Sequence, residues 1–260
     1  MVSSTEVSCG VRATRRAAVE ADLLEVGRRH LAEHGAAALS IRAVARDLGM
    51  VPSALFRYVS GRDELITRLI VAAYTSLGQS VGAAHAAAPT QDFGARFWAI
   101  AHGMRAWALA HPHEWALIFG SPVPHYDAPG EQTTGPGTIV PMLLVGIGAD
   151  LYAAGQRSPK PFAGAGKLAR SATDHLRGAE PGRVDPAALP PVAFANGITA
   201  WTLLVGAVSS EVFEHLGVNP QPAPLFEYAA CCAEAILFGP APARPARDAD
   251  RPATKERGTR

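Results

Sequence analysis

A chain of 260 residues with 48% hydrophobic and 18% charged residues is a globular protein of one large domain or two small ones, which excludes the disordered and fibrous classes. Its formal net charge of +1, from 24 basic and 23 acidic side chains, excludes attachment to nucleic acid or membrane through a global field, so a charged site must be local. Among the basic residues only Lys160, Lys167 and Lys255 are lysine, and so strong an arginine bias favours planar, bidentate partners such as phosphate and carboxylate.

Cys9, Cys231 and Cys232 cannot make a disulfide framework, and the adjacent pair is strained for bridging, which points to a reducing compartment. Met1 to Gly10 lacks a basic segment followed by an apolar run, so a cytoplasmic location is expected. Pro186 to Ser210 carries no charge and has the length of a membrane span, but Pro190, Pro191, Asn196, Gly197 and Gly206 suit a buried protein helix better than lipid. No membrane partner is expected.

Helical periodicity recurs from residue 19 to residue 237 and strand-like alternation is absent, so the fold class is all-α. The first helix is expected from Arg15 to His34, with Val19, Leu23, Val26 and His30 on one stripe and Gly35 as its stop. A short helix from Ser40 to Gly49 turns Ile41, Val44 and Leu48 inward, and a third, Pro52 to Val59, presents Leu55 and Val59 to the same side. Ser60 is expected to cap a long fourth helix, with Asp63 as its reciprocal partner. A break at Ala87–Thr90 precedes a helix from Gln91 to Ala110 striped by Phe93, Phe97, Ile100, Met104 and Trp107.

A short helix from His113 to Phe119 then gives way to Gly120–Gly137, where Pro122, Pro124, Pro129, Gly130, Gly135, Pro136 and Gly137 predict an irregular loop. Helix resumes over Thr138–Ala154, and Gly155–Asp185, rich in Gly, Pro and Arg, is expected to be partly mobile. Phe194, Ile198, Trp201, Val205, Val208 and Val212 form a seam on a helix from Pro191 to Leu216, and Leu225, Ala229, Cys232 and Ile236 repeat it between Pro224 and Gly239. Two such helices at the end of a chain suggest an antiparallel pair docking on its own copy, a homodimer interface over about 191–216 and 224–238.

The informative stretch is Leu39 to Leu65. Ala45 lets the second and third helices approach closely and Gly49 takes the positive φ of the turn, which is helix-turn-helix chemistry. In a reading helix, Pro52, Ser53 and Ala54 sit at the N-terminal end, where small side chains allow approach to base edges, while Arg57 and Tyr58 flank a major groove. Arg42 reaches either a guanine edge or a phosphate, and Ser40 and Arg62 lie at helix N-termini suited to phosphate oxygens. Arg12, Arg15 and Arg16 form either a basic arm or a solvated helix start.

Ser40-Ile41-Arg42, Ala45 with Gly49, Leu55-Phe56-Arg57-Tyr58 and Ser60-Gly61-Arg62-Asp63-Glu64-Leu65 together resemble the N-terminal signature of the tetracycline-repressor (TetR) family of transcription regulators over roughly residues 15 to 75. In that family the position of Phe56 is more often Tyr and that of Arg62 often Lys. His102-Gly103 and the run His111 to Tyr126 resemble one branch of the same family. The resemblance implies a helix-turn-helix domain (15–62) with helix four (62–85) as connector and a ligand-binding and dimerisation domain (86–239), while 1–14 is expected to be a flexible arm and 240–260, from its composition, a disordered tail. It also implies a homodimer on a palindromic double-stranded operator, released when a small effector swings helix four.

For the effector, Trp98, Met104, Trp115, Phe119, Met142 and Trp201, with His102 and Arg105 nearby, make a plausible apolar cavity, although such stripes are usually core. His111, His113, Glu114, His125 and Asp127 are ligand types for zinc, but Pro112 and the loop deny them ligand spacing, and no metal or cofactor is expected. The rival readings are a DNA-binding dimer without effector and a helical metalloenzyme. No nucleophile, base and orienting group stand together to support catalysis.

Overall fold

The computed structural model describes residues 4–156, 164–176, 190–215, 217 and 222–239, and all regular structure among them is helical. In chain order the helices are α1 (Ser4–His34), α2 (Ile41–Asp47), α3 (Pro52–Leu55), α4 (Arg62–Ala87), α5 (Phe93–Ala110), α6 (Pro112–Phe119), α7 (Gly130–Ala153), α8 (Ala165–Leu176), α9 (Pro191–Val212) and α10 (Ala223–Phe238).

Two apolar cores share α4. Its first half places Leu65, Ile66, Leu69 and Ile70 against Leu23 and Val26 of α1, Val44 of α2 and Leu55 of α3. Its second half continues the stripe with Ala73, Leu77 and Val81, which join Phe97, Ile100 and Met104 of α5, Trp115 of α6, Leu144 and Ile147 of α7, Leu204 of α9 and Phe226 of α10. The spacing of three and four keeps one face of α4 apolar through both cores, so the helix acts as a beam between them. Helices α7 and α9 are each long and apolar enough to cross a membrane, yet they bury their seams in this second core, where Asn196 donates to the Ile236 carbonyl at 2.9 Å.

Several boundaries differ from the sequence expectation. Helix α1 begins at Ser4 and so takes in most of the expected arm; no proline interrupts the segment, and adding residues to a formed hydrogen-bond ladder needs no new nucleus. Helix α7 begins at Gly130, inside the expected loop, despite Pro136. The bond that Pro136 cannot donate leaves the Gln132 carbonyl at an exposed position open to water, and Thr133 Oγ1 donates to the Pro129 carbonyl at 3.0 Å to steady the first turn. Helix α4 starts after Gly61, and its capping carboxylate is Glu64, not Asp63: the Ser60 amide donates to Glu64 at 2.6 Å. The α9 seam faces inward, with Phe194 and Val208 buried and Trp201 half-buried. What α9 leaves outside is Pro191 at its start and, along its length, Thr199, Thr202, Leu203 and Gly206. Residues 157–163 and 177–189 of the expected mobile segment, and the tail 240–260, lie outside the described residues.

Candidate nucleic-acid interface

The turn between α2 and α3 is built by backbone bonding. Met50 N–H donates to the Ala45 carbonyl at 2.9 Å and Gly49 N–H to the Arg46 carbonyl at 3.0 Å, the paired closure of a helix that ends on a left-handed residue. Gly49 takes that residue's φ of 66°, which strains any side chain. Ala45 is fully buried where α2 meets its neighbours, and Leu55 and Val59 anchor α3 and the turn after it.

Anchoring on one side leaves the other side free. Ser40, Arg42, Pro52, Ser53, Phe56 and Arg57 are exposed on α2, α3 and their flanks, with Ala54 and Tyr58 half-buried among them. Ser40 ends α2 without a side-chain capping bond, so its hydroxyl and the first amides of the helix are available to an anion. Tyr58 lies under the Arg16 guanidinium, 5.9 Å from ring centroid to carbon, which brings a cation from α1 to the edge of this surface. Val51, which sequence reasoning passed over, is 65% exposed just ahead of Pro52. An exposed apolar residue at a reading-helix N-terminus suits a thymine methyl; its sequence signal is an apolar residue next to a proline at the first helical position.

Arg62, expected to face phosphate, is engaged within the chain. Its guanidinium donates to the carbonyls of Ala36 and Ala37 at 3.1 and 3.2 Å and lies 3.4 Å from Asp63, so it ties α4 to the connection between α1 and α2. Asp47 fixes α2 to α1 in the same way. His30 Nε2 donates to its carboxylate at 2.9 Å and Arg29 at 3.2 Å, and the His30 bond, aided by Arg29, holds Asp47 below the ordinary carboxylate range against partial desolvation.

Glu64 is held more strongly, to about 2, first by hydrogen bonds from Ser60 and then by Arg68. A carboxyl lowered in the folded state stabilises above its unfolded value of 4.5 and loses that contribution as pH falls toward 2. Glu64→Gln is therefore expected to be less stable at pH 7 by about 1 kcal/mol after allowance for solvent screening, and equal to the parent near pH 2. Urea titrations at the two pH values check this.

A bacterial regulatory protein model of the tetR family matches residues 23–69, and a tetracyclin repressor-like C-terminal domain model matches residues 97–232, more than half of the chain. The chain belongs to the TetR family. It is 48% identical over 146 residues to HTH-type transcriptional regulators of Mycobacterium tuberculosis and Mycobacterium bovis, a match covering 56% of this chain and 61% of theirs. The solved structure of the regulatory protein SCO4313 is 33% identical, with a TM-score of 0.65 over 85% of this chain and 97% of the other. A Rhodococcus sp. RHA1 structure at 23% identity and TM-score 0.58, covering 85% of this chain and 94% of its own, shares the fold.

In this TetR-family chain the eight expected pocket residues are not gathered around one space. Trp98 donates to Glu234 at 3.1 Å, His102 is exposed beside Glu227 at 3.1 Å, and Arg105 grips Glu211, so this face of α5 is spent on α9 and α10. Met104 and Trp115 are fully buried, with Phe119 4.4 Å from the Trp115 ring and 6.2 Å from that of Trp201. Met142 packs elsewhere, against Phe194 and Val145. The apolar members of the set pack as core because aromatic stripes at helical spacing serve core and cavity alike. Among the histidine-segment residues, His111 Nδ1 bonds the Trp107 carbonyl at 2.9 Å and Glu114 pairs with Arg28 at 3.2 Å, and no three metal-ligating side chains converge among the described residues.

Proposed function

We propose that this TetR-family regulator binds a palindromic operator as a homodimer and is released from it by a small-molecule effector, acting most simply as a cytoplasmic repressor without catalytic activity. The observation that carries the reading is the exposed set Ser40, Arg42, Pro52, Ser53, Phe56 and Arg57 around a tightly closed α2–α3 turn. Small residues lead the reading helix and arginines flank it, which suits base edges within and phosphates beside a major groove.

The outer faces of α9 and α10 favour a dimer. Leu203, Leu225 and Tyr228 are exposed at 36%, 38% and 73%, beside exposed Gly206 and Cys232. A helix pair that leaves large apolar side chains outward gains by covering them with its own copy, and Gly206 permits close approach. An effector favouring the arrangement that cannot hold DNA by about 3 kcal/mol would weaken operator binding roughly 150-fold, and the operator would weaken effector binding equally.

Selection from random duplex DNA at near-physiological salt tests the reading. A palindrome with half-sites about one helical turn apart is expected, and recovery of unrelated sequences only would sink it. On the selected duplex, Arg42→Ala or Tyr58→Ala is expected to weaken binding by about 1 to 3 kcal/mol, read by fluorescence anisotropy. Unchanged affinity in both variants would remove α2 and α3 from the interface.

A further inference from the structure

An open cavity of about 450 Å³ lies between α4, α6, the connection over residues 120–129 and the first turns of α7, beside Phe119 of the expected aromatic cluster, whose ring stands 5.9 Å from that of Tyr74. Its size falls in the range of about 300 to 1,000 Å³ that holds drug-sized ligands. No residue lining it is charged, so an ionic ligand would give up water with no counter-charge in return. Ile70, Leu117, Val123 and the Tyr74 ring supply apolar wall. Ser121 and Thr134 supply hydroxyls that have no hydrogen-bond partner among the described residues. The Tyr74 phenol is neutral near neutral pH, and burial pushes its titration still higher. Gly137 leaves the Tyr74 side of the space clear: a Cβ there would stand 3.4 Å from that ring.

The same cavity borders the N-terminal core beneath the reading head. Tyr126, on its wall, bonds through its hydroxyl to Thr67 Oγ1 of α4 at 2.8 Å, and Thr67 lies one turn before Ile70 on the same helix face. Leu117, Val123 and Tyr126 also pack against the N-terminal core that seats α2 and α3. A molecule seated here meets α4 and a connection that is bonded to α4 through Tyr126.

We propose that this cavity is the effector site, that it takes a neutral organic molecule with an apolar body and one or two hydroxyl or carbonyl groups, and that it acts on DNA binding through the Tyr126–Thr67 bond. The proposal rests on the reading of the chain as an effector-responsive regulator and assigns the site and ligand class. The probe is N-phenyl-1-naphthylamine, which is neutral, apolar, has one polar group and fluoresces on leaving water. The full-length protein is expected to bind it saturably, and Gly137→Leu to weaken binding at least tenfold. Ser121→Trp fills the same space from the connection and gives the same result should the helix variant fail to fold.

Saturating probe is expected to lower affinity for the selected duplex at least fivefold, and saturating duplex to lower probe affinity by the same factor. In Thr67→Val that mutual factor should fall below two. No probe binding by the parent, undiminished binding in both filled variants, or an unaltered mutual factor in Thr67→Val would each overturn the proposal. Failure to recover any selected duplex would instead strike the DNA-binding reading, while the probe titrations would still judge the cavity.

Discussion

Trp115→Ala is expected to lower the stability of the folded chain by about 3 to 5 kcal/mol, seen as a lower urea midpoint with an unchanged slope. Trp115 is fully buried, its indole N–H donates to Ser209 Oγ of α9 at 3.1 Å, and its ring stands 4.4 Å from that of Phe119. Truncation therefore removes the transfer energy of a large side chain and leaves a cavity that two packed helices close poorly. Trp115→Phe keeps most of the volume and gives up the hydrogen bond, so a loss of about 1 kcal/mol is expected. The helix concerned is a second link between the halves beside α4: α6 carries Leu117 and Ile118 onto the N-terminal core and pairs Glu114 with Arg28 of α1 at 3.2 Å. A loss below 1 kcal/mol in the alanine variant would mean that α6 relaxes into the vacated space.

The reading head was legible in the sequence because its geometry depends on a few residues close together. A left-handed turn calls for Gly49, close packing calls for a residue as small as Ala45, and inward Val44, Leu55 and Val59 fix which side faces out. The long helices were legible from apolar stripes of three and four, as α5 shows with Phe97, Ile100, Met104 and Trp107 all buried. What escaped was set by tertiary contact. The acceptors of Arg62 are carbonyls 25 and 26 residues earlier, and nothing in a local pattern announces a carbonyl. The first turns of α7 contain Gly135, Pro136 and Gly137, whose weak helical preference is overridden once Val140 and Leu144 dock in the core.

The effector cavity escaped for a related reason. Its walls come from four segments spanning residues 70 to 138, and several of the residues that shape it are small: Gly120, Ser121, Gly137 and Thr134. Aromatic residues attract attention in a sequence, but a space is made where side chains are short, so the tryptophans marked the core and the glycines and threonines marked the cavity.

Arg105→Ala is expected to lower stability by about 3 kcal/mol, more than its partial exposure alone suggests, because of what it leaves behind. Arg105 donates two hydrogen bonds to Glu211, at 2.8 and 2.7 Å, and the Glu211 side chain is only 7% exposed. Glu211 also lies in the last turn of α9, where the helix dipole opposes a negative charge, so the guanidinium compensates both burial and dipole. Removing it strands the carboxylate, whereas Arg105→Ala combined with Glu211→Met removes both charges and is expected to recover most of the loss. Arg105→Lys should fall between, since an ammonium retains the charge but not the two-pronged fit. The guanidinium also stands 5.4 Å from the Phe226 ring centroid, so the double variant separates two roles. Recovery assigns the effect to the stranded charge; a double variant as unstable as Arg105→Ala alone assigns it to packing between α5 and α10.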